Sequence, residues 1–399
     1  MRYSLALALV AGTLTLTGCT SGHGKYTSVE RSGAKEKFDG IKSGTEYQMA
    51  FSAFMSQDFP KALRHVDTSI SLNPTVVRSH VLRGRIMLEA GDLQRASESF
   101  ERAQAIDPRS VDAWYYMGLL HERTAEHEQA LACYQKACEL APSEAQYPLA
   151  AAEVLIDMAR LDEARSFLDE RRAQFQHNSG IRQTLGHIAM MEQDAATAVK
   201  EFSDARLLAP DDQSIAEDLA RAQVKLEAYA QAEAILGKLL ADPSNQARRD
   251  LLMLRATCLT KMDRLAEARS ILTQLTRDAA GADDVEAFVA LGNVSYVLKD
   301  MVRVRQVATR IVNIAPQRPE GYMLRALYQR HMKDFATAEA SATKATQCQG
   351  GAEAWMLLGL IQQDAGRTED AERSFATAHD FDQSTQRPTV AGTDESQQD

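Results

Sequence analysis

Apolar and polar positions alternate with helical spacing from about residue 43 to residue 386, and the pattern recurs at intervals of 34 residues. Pro74, Pro108 and Pro142 mark three successive intervals, and Pro210 lies two intervals further along the chain. Proline lacks the backbone N–H that a helix interior requires, so each of these residues indicates the end of a helix. The pattern predicts an all-α chain of stacked helical units.

Small residues recur at two positions when each unit is counted so that its proline is the thirty-second residue. The eighth position is Gly or Ala throughout, at Ala50, Gly84, Gly118, Ala152, Gly186, Ala220, Ala256, Gly292, Ala326 and Gly359. The twentieth position is Ala or Val, at Ala62, Ala96, Ala130, Ala164, Ala198, Ala232, Ala268, Val304, Ala338 and Ala371. We expect these two positions to face each other where two helices approach most closely, with larger residues at positions four and twenty-four around them.

This arrangement resembles the tetratricopeptide repeat (TPR), a helix-turn-helix unit of 34 residues. Trp114 and Trp355 occupy its fourth position, which adds to the resemblance. The resemblance implies an all-α, right-handed superhelical solenoid of about ten TPR repeats. We assign repeats 1–7 to residues 43–280 and repeats 8–10 to residues 281–386, with a hinge at Asp278–Asp284.

The amino terminus has the pattern of a targeting segment. Arg2 precedes an apolar run from Leu5 to Leu16, which is too short to span a bilayer and suits a signal peptide. The following Leu-Thr-Gly-Cys19 resembles the lipobox of bacterial lipoproteins, and this implies removal of residues 1–18 and acylation of Cys19, for example with palmitate. We expect residues 19–42 to form a flexible tether. The implied location is the bacterial cell envelope, and Thr20 favours the outer membrane, facing the periplasm, in a Gram-negative organism.

Composition excludes several classes of protein. The formal charge of −10 argues against a nucleic-acid partner, which requires a cationic surface. Five cysteines in 399 residues are too few for a disulfide scaffold. Residues 387–399 are polar and acidic and predict a disordered tail.

Catalytic patterns are missing from the sequence. It contains no phosphate-binding loop, no His-Glu-x-x-His and no Gly-x-Ser-x-Gly. His121 and His127 fall on different helix faces, and Cys133 and Cys138 are predicted to be buried thiols. We therefore expect a protein that is not an enzyme and holds neither metal nor cofactor, with no small-molecule substrate.

In TPR proteins, the fifth and ninth residues of each repeat usually line the concave groove. Here the predicted partner-binding residues are Tyr47, Phe51, Val81, Arg85, Tyr115, Leu119, Met323, Leu327, Met356 and Leu360. Between these two apolar patches the same positions are polar, at Gln183, His187, Glu217 and Arg221. An amphipathic helix or an extended apolar peptide would suit such a groove. The positions of the family's carboxylate clamp hold Tyr47, Phe51, Leu82, Asp112 and Tyr116, so that clamp is absent.

Two functions remain open from these observations. The first is a membrane-anchored scaffold or adaptor lipoprotein that binds a protein in its groove during assembly of an envelope complex, such as a pilus, secretin, outer-membrane protein or polysaccharide exporter. The second is a regulatory or substrate-presenting subunit of a peptidoglycan- or glycan-modifying enzyme system.

Overall fold

The computed structural model describes residues 25–277 and 281–386. In those residues, the long elements of secondary structure are all α-helices. From Lys25 to Asp169, and again from Ser179 to Gln386, successive helices pack against each other through short connections, so the predicted all-α solenoid of helix-turn-helix repeats is confirmed. The chain divides into two compact units, unit 1 (Met1–Phe175) and unit 2 (Gln176–Asp399). The predicted signal peptide, Cys19 and the tail 387–399 lie outside the described residues.

Unit 1 contains the helices α1 (Lys25–Met55), α2 (Phe59–Leu72), α3 (Val77–Glu89), α4 (Leu93–Ile106), α5 (Val111–Arg123), α6 (His127–Leu140), α7 (Gln146–Asp157) and α8 (Leu161–Asp169). Unit 2 contains the helices α9 (Ser179–Met191), α10 (Ala195–Leu208), α11 (Gln213–Lys225), α12 (Tyr229–Leu239), α13 (Arg249–Lys261), α14 (Leu265–Arg277), α15 (Val285–Val297), α16 (Met301–Ile314), α17 (Pro319–His331), α18 (Phe335–Gln347), α19 (Gly351–Asp364) and α20 (Thr368–Gln386). Odd-numbered helices are the first helices of their repeats, and even-numbered helices are the second.

The turn between the two helices of a repeat has a constant geometry. One residue adopts a positive φ, as at Gln57 (60°), Ala125 (57°) and Lys333 (62°). An aspartate often follows and caps the second helix, as when Asp58 accepts a hydrogen bond from the backbone N–H of Lys61 at 3.1 Å. Positive φ is unfavourable for residues other than glycine, so the packing of the flanking helices holds these turns in place.

The eighth position of a repeat meets the twenty-fourth position across paired helices. A Cβ added to Gly84 would lie 2.4 Å from the Phe100 ring, so this ring lies directly against the small eighth position. The same contact recurs in three other repeats, between Gly118 and Tyr134, Gly186 and Phe202, and Gly359 and Phe375. Where the twenty-fourth residue is Val or Leu, the eighth is Ala, in the pairs Ala50 and Val66, Ala152 and Leu168, Ala220 and Leu236, and Ala256 and Leu272. At those four glycines, the space that the missing Cβ would fill is therefore occupied by a ring.

The fourth position also links one repeat to the next. Trp114 donates its indole N–H to the carbonyl of Pro108 at 2.9 Å, and the Tyr322 hydroxyl donates to the carbonyl of Pro316 at 3.1 Å. Proline ends the preceding helix and leaves its own carbonyl free to accept. The recurrent proline and the bulky fourth residue therefore form one inter-repeat contact.

Residues 25–42, expected to form a flexible tether, are instead the first part of α1. Lysine occurs four times and glutamate twice in this segment, and both favour helix, whereas glycine occurs only at Gly33 and Gly40. Phe38 and Ile41 are 64% and 74% exposed, so they cover neither α3 nor the predicted groove. Helix α1 therefore begins before the first repeat, and this extension has little support from packing.

The division of the chain also differs from the predicted hinge, because residues 278–284 lie within unit 2. One apolar core runs from Ala189 on α9 to Leu324 on α17, across this connection. Arg249 donates to the carbonyl of Leu275 at 2.9 Å and to the Asp284 carboxylate at 2.5 Å, which ties both ends of the connection to α13. The units divide after Phe175 instead, where α8 has nine residues and the preceding second helices have fourteen.

Candidate functional site

The first helices of unit 1 carry the predicted amino-terminal patch. We call the surface formed by Tyr47 and Phe51 of α1, Arg85 of α3, and Tyr115 and Leu119 of α5 the unit 1 face. All five side chains are partly exposed, and the Tyr47 and Phe51 rings are stacked with centroids 6.5 Å apart. The sequence therefore places these residues correctly on one set of helices.

Val81 does not belong to this face. It is only 5% exposed and packs with Ala103 and Ala113 in the core, since the side chain points between α3 and its neighbours. The prediction that Val81 contacts a partner is therefore wrong in this structure.

A cluster of tyrosines lies where α5 meets α6 and α7. The centroid of the Tyr115 ring is 5.2 Å from that of Tyr116, 5.7 Å from that of Tyr134 and 5.5 Å from that of Tyr147. Edge-to-face and tilted contacts at these distances are favourable for aromatic rings. Tyr134 and Tyr147 are buried, so they hold Tyr115 in a fixed orientation at the surface.

Carboxylates adjoin this cluster. The Tyr134 hydroxyl donates to the Glu122 carboxylate. Burial raises the pKa of Tyr115, and the nearby negative charges of Glu122 and Glu153 raise it further. Burial also raises the pKa of Glu153, as do the charges of Glu122 and Asp157. The α5 and α7 side of the unit 1 face is therefore aromatic and acidic.

Arginines occupy the α3 side. The Arg85 guanidinium carbon lies 5.0 Å from the centroid of the Phe54 ring and 4.6 Å from that of Tyr116, so it is held between two rings. Arg78 lies in the same way over Tyr47, at 4.7 Å. These distances are typical of cation–π contacts. Arg78 and Phe54 are the second and twelfth residues of their repeats, so a prediction from the fifth and ninth positions does not include them.

The polar residues predicted between the two apolar patches form hydrogen bonds and ion pairs within unit 2. His187 and Gln183 both contact the Asp218 carboxylate, at 2.8 and 2.7 Å. Arg248 makes a two-pronged ion pair with Glu217 at 2.6 and 2.8 Å, and also contacts Asp250 at 2.6 Å. These contacts connect α9, α11 and α13.

Hydrogen bonds and ion pairs in this network lower the pKa of two carboxyl groups. Hydrogen bonding from Arg248 lowers the pKa of Asp250 to about 2. Partial burial acts to raise the pKa of Asp218, but the hydrogen bonds from His187 and Gln183 outweigh it and the pKa is lowered. The predicted polar residues therefore satisfy one another's charges within unit 2.

The predicted carboxy-terminal patch lies on α17 and α19. Met356 is 46% exposed, and Met323, Leu327 and Leu360 are partly exposed, as are the residues of the unit 1 face; Met323 and Leu327 pack on the core of α17 to α19. Met323 also lines a cavity of about 400 Å³ together with Pro319 and Phe381. This patch offers less aromatic surface than the unit 1 face.

The described residues contain no group of His, Cys, Asp and Glu side chains that could hold a metal ion. Cys133, Cys138 and Cys258 are buried free thiols, and burial raises the pKa of each to about 11. Within residues 25–277 and 281–386, no helix has both the length and the apolar character needed to cross a bilayer.

The sequence model of the tetratricopeptide repeat family matches residues 47–110 and, overlapping them, residues 81–145. The chain contains tetratricopeptide repeats. The matched TPR segment includes Tyr47, Arg85 and Tyr115 of the unit 1 face. The glycine-to-ring contact of the matched repeats recurs at Gly186 and Gly359, so later helix pairs share the packing of these TPR units.

Curated proteins and solved structures with similar TPR regions differ widely in sequence. Anaphase-promoting complex subunit 3 of Schizosaccharomyces pombe is 21% identical over 161 residues, which are 40% of this chain and 24% of that protein. The structure of PilF from Pseudomonas aeruginosa is 21% identical, with a TM-score of 0.43, over 50% of this chain and 90% of that one. The structure of PilW, described as a widely conserved type IV pilus biogenesis factor, is 18% identical, with a TM-score of 0.44, over 50% of this chain and 93% of that one. The chain thus spans about a quarter of the curated relative's length.

Proposed function

We propose that this chain is a membrane-anchored TPR adaptor that binds a segment of a partner protein on the unit 1 face. The observation that supports this most strongly is the row of partly exposed aromatic side chains on α1 and α5, held in place by buried neighbours. Aromatic side chains with few rotatable bonds are favourable at interfaces, since little entropy is lost when they are covered.

The chemistry of the face suits an extended apolar segment or one side of an amphipathic helix. Tyr47, Phe51, Tyr115 and Leu119 provide apolar contact area, and the tyrosines add hydroxyl groups that can form hydrogen bonds. The unit 2 network is a weaker candidate because its charged groups already pair with one another.

Anchoring is a separate part of the proposal and depends on the lipobox-like residues before Cys19. Acyl chains on Cys19 would hold the chain on an envelope membrane, since each buried CH₂ contributes about 0.8 kcal/mol. We place it on the outer membrane, facing the periplasm, in a Gram-negative host. Metabolic labelling with an alkynyl fatty acid should mark the wild-type chain and leave Cys19→Ser unlabelled; equal labelling of both would contradict this part.

Site-specific photo-crosslinking in native membranes tests the binding face. A crosslinking amino acid at Leu119 should give a specific protein adduct that is lost when Tyr115→Ala is added, whereas the same amino acid at Glu101, exposed on α4, should give none. Identical adducts at both positions would contradict the assignment of this face. The partner's identity distinguishes an assembly factor of a pilus, secretin or exporter from a regulator of a glycan-modifying enzyme.

A further inference from the structure

Two arginines on α3 lack an acidic partner. Arg78 lies over Tyr47, and Arg85 lies between Phe54 and Tyr116. Among the described residues, no carboxylate oxygen lies within 4.0 Å of either guanidinium, although Arg83 on the same helix pairs with Asp67 at 2.9 Å. Stacking engages the flat faces of a guanidinium and leaves its N–H groups, which point along the plane, available to an acceptor.

A matched arginine in unit 2 behaves differently. Arg221 occupies the ninth position of its repeat, as Arg85 does, but it pairs with Asp250 at 3.0 Å. Neighbouring Arg248 is also paired, with Glu217 at 2.6 Å. The protein therefore neutralises Arg221 and Arg248 in unit 2 and leaves Arg78 and Arg85 of α3 without a counter-charge.

The spacing of Arg78 and Arg85 restricts what could bind them. Seven residues separate them on one helix, so they lie on the same side and about 10 Å apart along the axis. An extended peptide in the polyproline II conformation rises about 3.1 Å per residue and repeats every three residues, which puts acidic residues three positions apart on the same side and about 9 Å from each other. Carboxylates suit the planar donors of arginine.

The rest of the face argues against a polyanion. Asp112, Glu122 and Glu153 lie on the adjoining first helices, and none of them forms a salt bridge with a described basic residue. A nucleic acid or a continuous acidic run would meet repulsion there. A segment with two separated carboxylates and apolar residues around them fits both halves of the unit 1 face.

We propose that the unit 1 face binds an extended protein segment with two carboxylates three residues apart, one on Arg78 and one on Arg85. These positions differ from those of the family's carboxylate clamp, which hold Tyr47, Phe51, Leu82, Asp112 and Tyr116 here. The inference rests on the proposed function of unit 1 as a peptide-binding surface and specifies the chemistry of its partner.

Selection of a random dodecapeptide phage library on the full-length chain tests the proposal. The wild-type chain and the matched control Arg221→Gln should both enrich peptides with two Asp or Glu residues three positions apart. Arg85→Gln should lose this enrichment. The same acidic motif on Arg85→Gln, or apolar peptides without acidic residues on the wild type, would overturn the inference and leave the proposed function standing. Failure to enrich any peptide on the wild type would contradict both.

A synthetic peptide of the most enriched sequence then provides affinities. Replacing its two carboxylates by amides should weaken binding to the wild type at least tenfold, and should have a smaller effect on Arg85→Gln, which keeps only Arg78. Arg85→Lys keeps the charge but loses the planar donors, so it should bind more weakly than the wild type and more tightly than Arg85→Gln. Helical circular dichroism of each variant shows that it is folded, and an equal amide effect on all three variants would overturn the assignment of Arg85.

Discussion

Gly84→Ala is expected to destabilise unit 1, although alanine is the better helix former. A Cβ at residue 84 would lie 2.4 Å from Cε1 of Phe100 and within 2.7 Å of two further ring atoms, against an ordinary carbon contact of about 3.5–4.0 Å. The Phe100 ring is rigid and fully buried, so helix α4 itself must shift. Overpacking of this kind costs about 1–3 kcal/mol. The propensity gain of about 1 kcal/mol offsets part of it, leaving a net loss of up to about 2 kcal/mol.

Gly40→Ala provides the matched control. Gly40 lies in helix α1 of the same unit, and no atom lies within 4 Å of the site where its Cβ would be. Only the propensity term applies there, so stability should stay the same or rise by up to about 1 kcal/mol. The two substitutions are chemically identical, and the difference between them measures the clash with the ring.

Urea unfolding followed by tryptophan fluorescence makes the measurement local. Trp114 packs beside Phe100 in unit 1, so a Trp355→Phe background leaves it as the reporter. Adding Phe100→Leu to Gly84→Ala recreates the alanine and leucine pair that Ala152 and Leu168 form. The double variant should lose less stability than the sum of the single variants, by about 1–2 kcal/mol. Additive effects, or a stabilising Gly84→Ala, would refute the reasoning.

Three further predictions concern other features. Arg182→Ala should cost about 1.5–3 kcal/mol in urea unfolding, because it removes the charged hydrogen bond of 3.1 Å to the 3% exposed carboxylate of Glu201, and unchanged stability would contradict this. Ala125→Gly should raise stability by up to about 1 kcal/mol, because φ there is 57°, and a lower melting temperature would count against it. Asp250 has a pKa lowered to about 2, so its ion pairs stabilise unit 2 above its ordinary pKa of 3.8, and this contribution disappears as the pH falls through 2. Asp250→Asn should therefore be less stable than the wild type at pH 7 and equal to it below pH 2 by thermal unfolding.

The repeat architecture was predictable because every repeat buries the same positions, and ten copies reveal a pattern that one copy would not. The tight contact between the eighth position and the ring at position twenty-four was not predictable in the same way. It depends on the direction in which the side chains point across the helix pair. The pairing of glycine with rings and of alanine with aliphatic residues was nevertheless present in the sequence as an unused signal.

Most of the unit 1 face was also predictable from positions five and nine, but its electrostatics were not. The rings around Arg85 come from Phe54, one repeat earlier, and Tyr116, one repeat later. Such contacts depend on the stacking of repeats and leave no local pattern. The prediction that Val81 contacts a partner was wrong for a related reason, because the side chain at this position of α3 points into the core.

The unbroken helix α1 fixes the distance between Lys25 and the unit 1 face. Tyr47 lies 22 residues after Lys25 within one helix, which places it about 33 Å along the axis. A flexible chain segment of 22 residues would have a typical end-to-end distance of about 25 Å and would also adopt shorter distances. A helix instead sets one length and one rotational phase. If Lys25 is held at a fixed point, Tyr47 and Phe51 therefore lie at a defined distance and in a defined direction from that point, as they would on a rigid spacer.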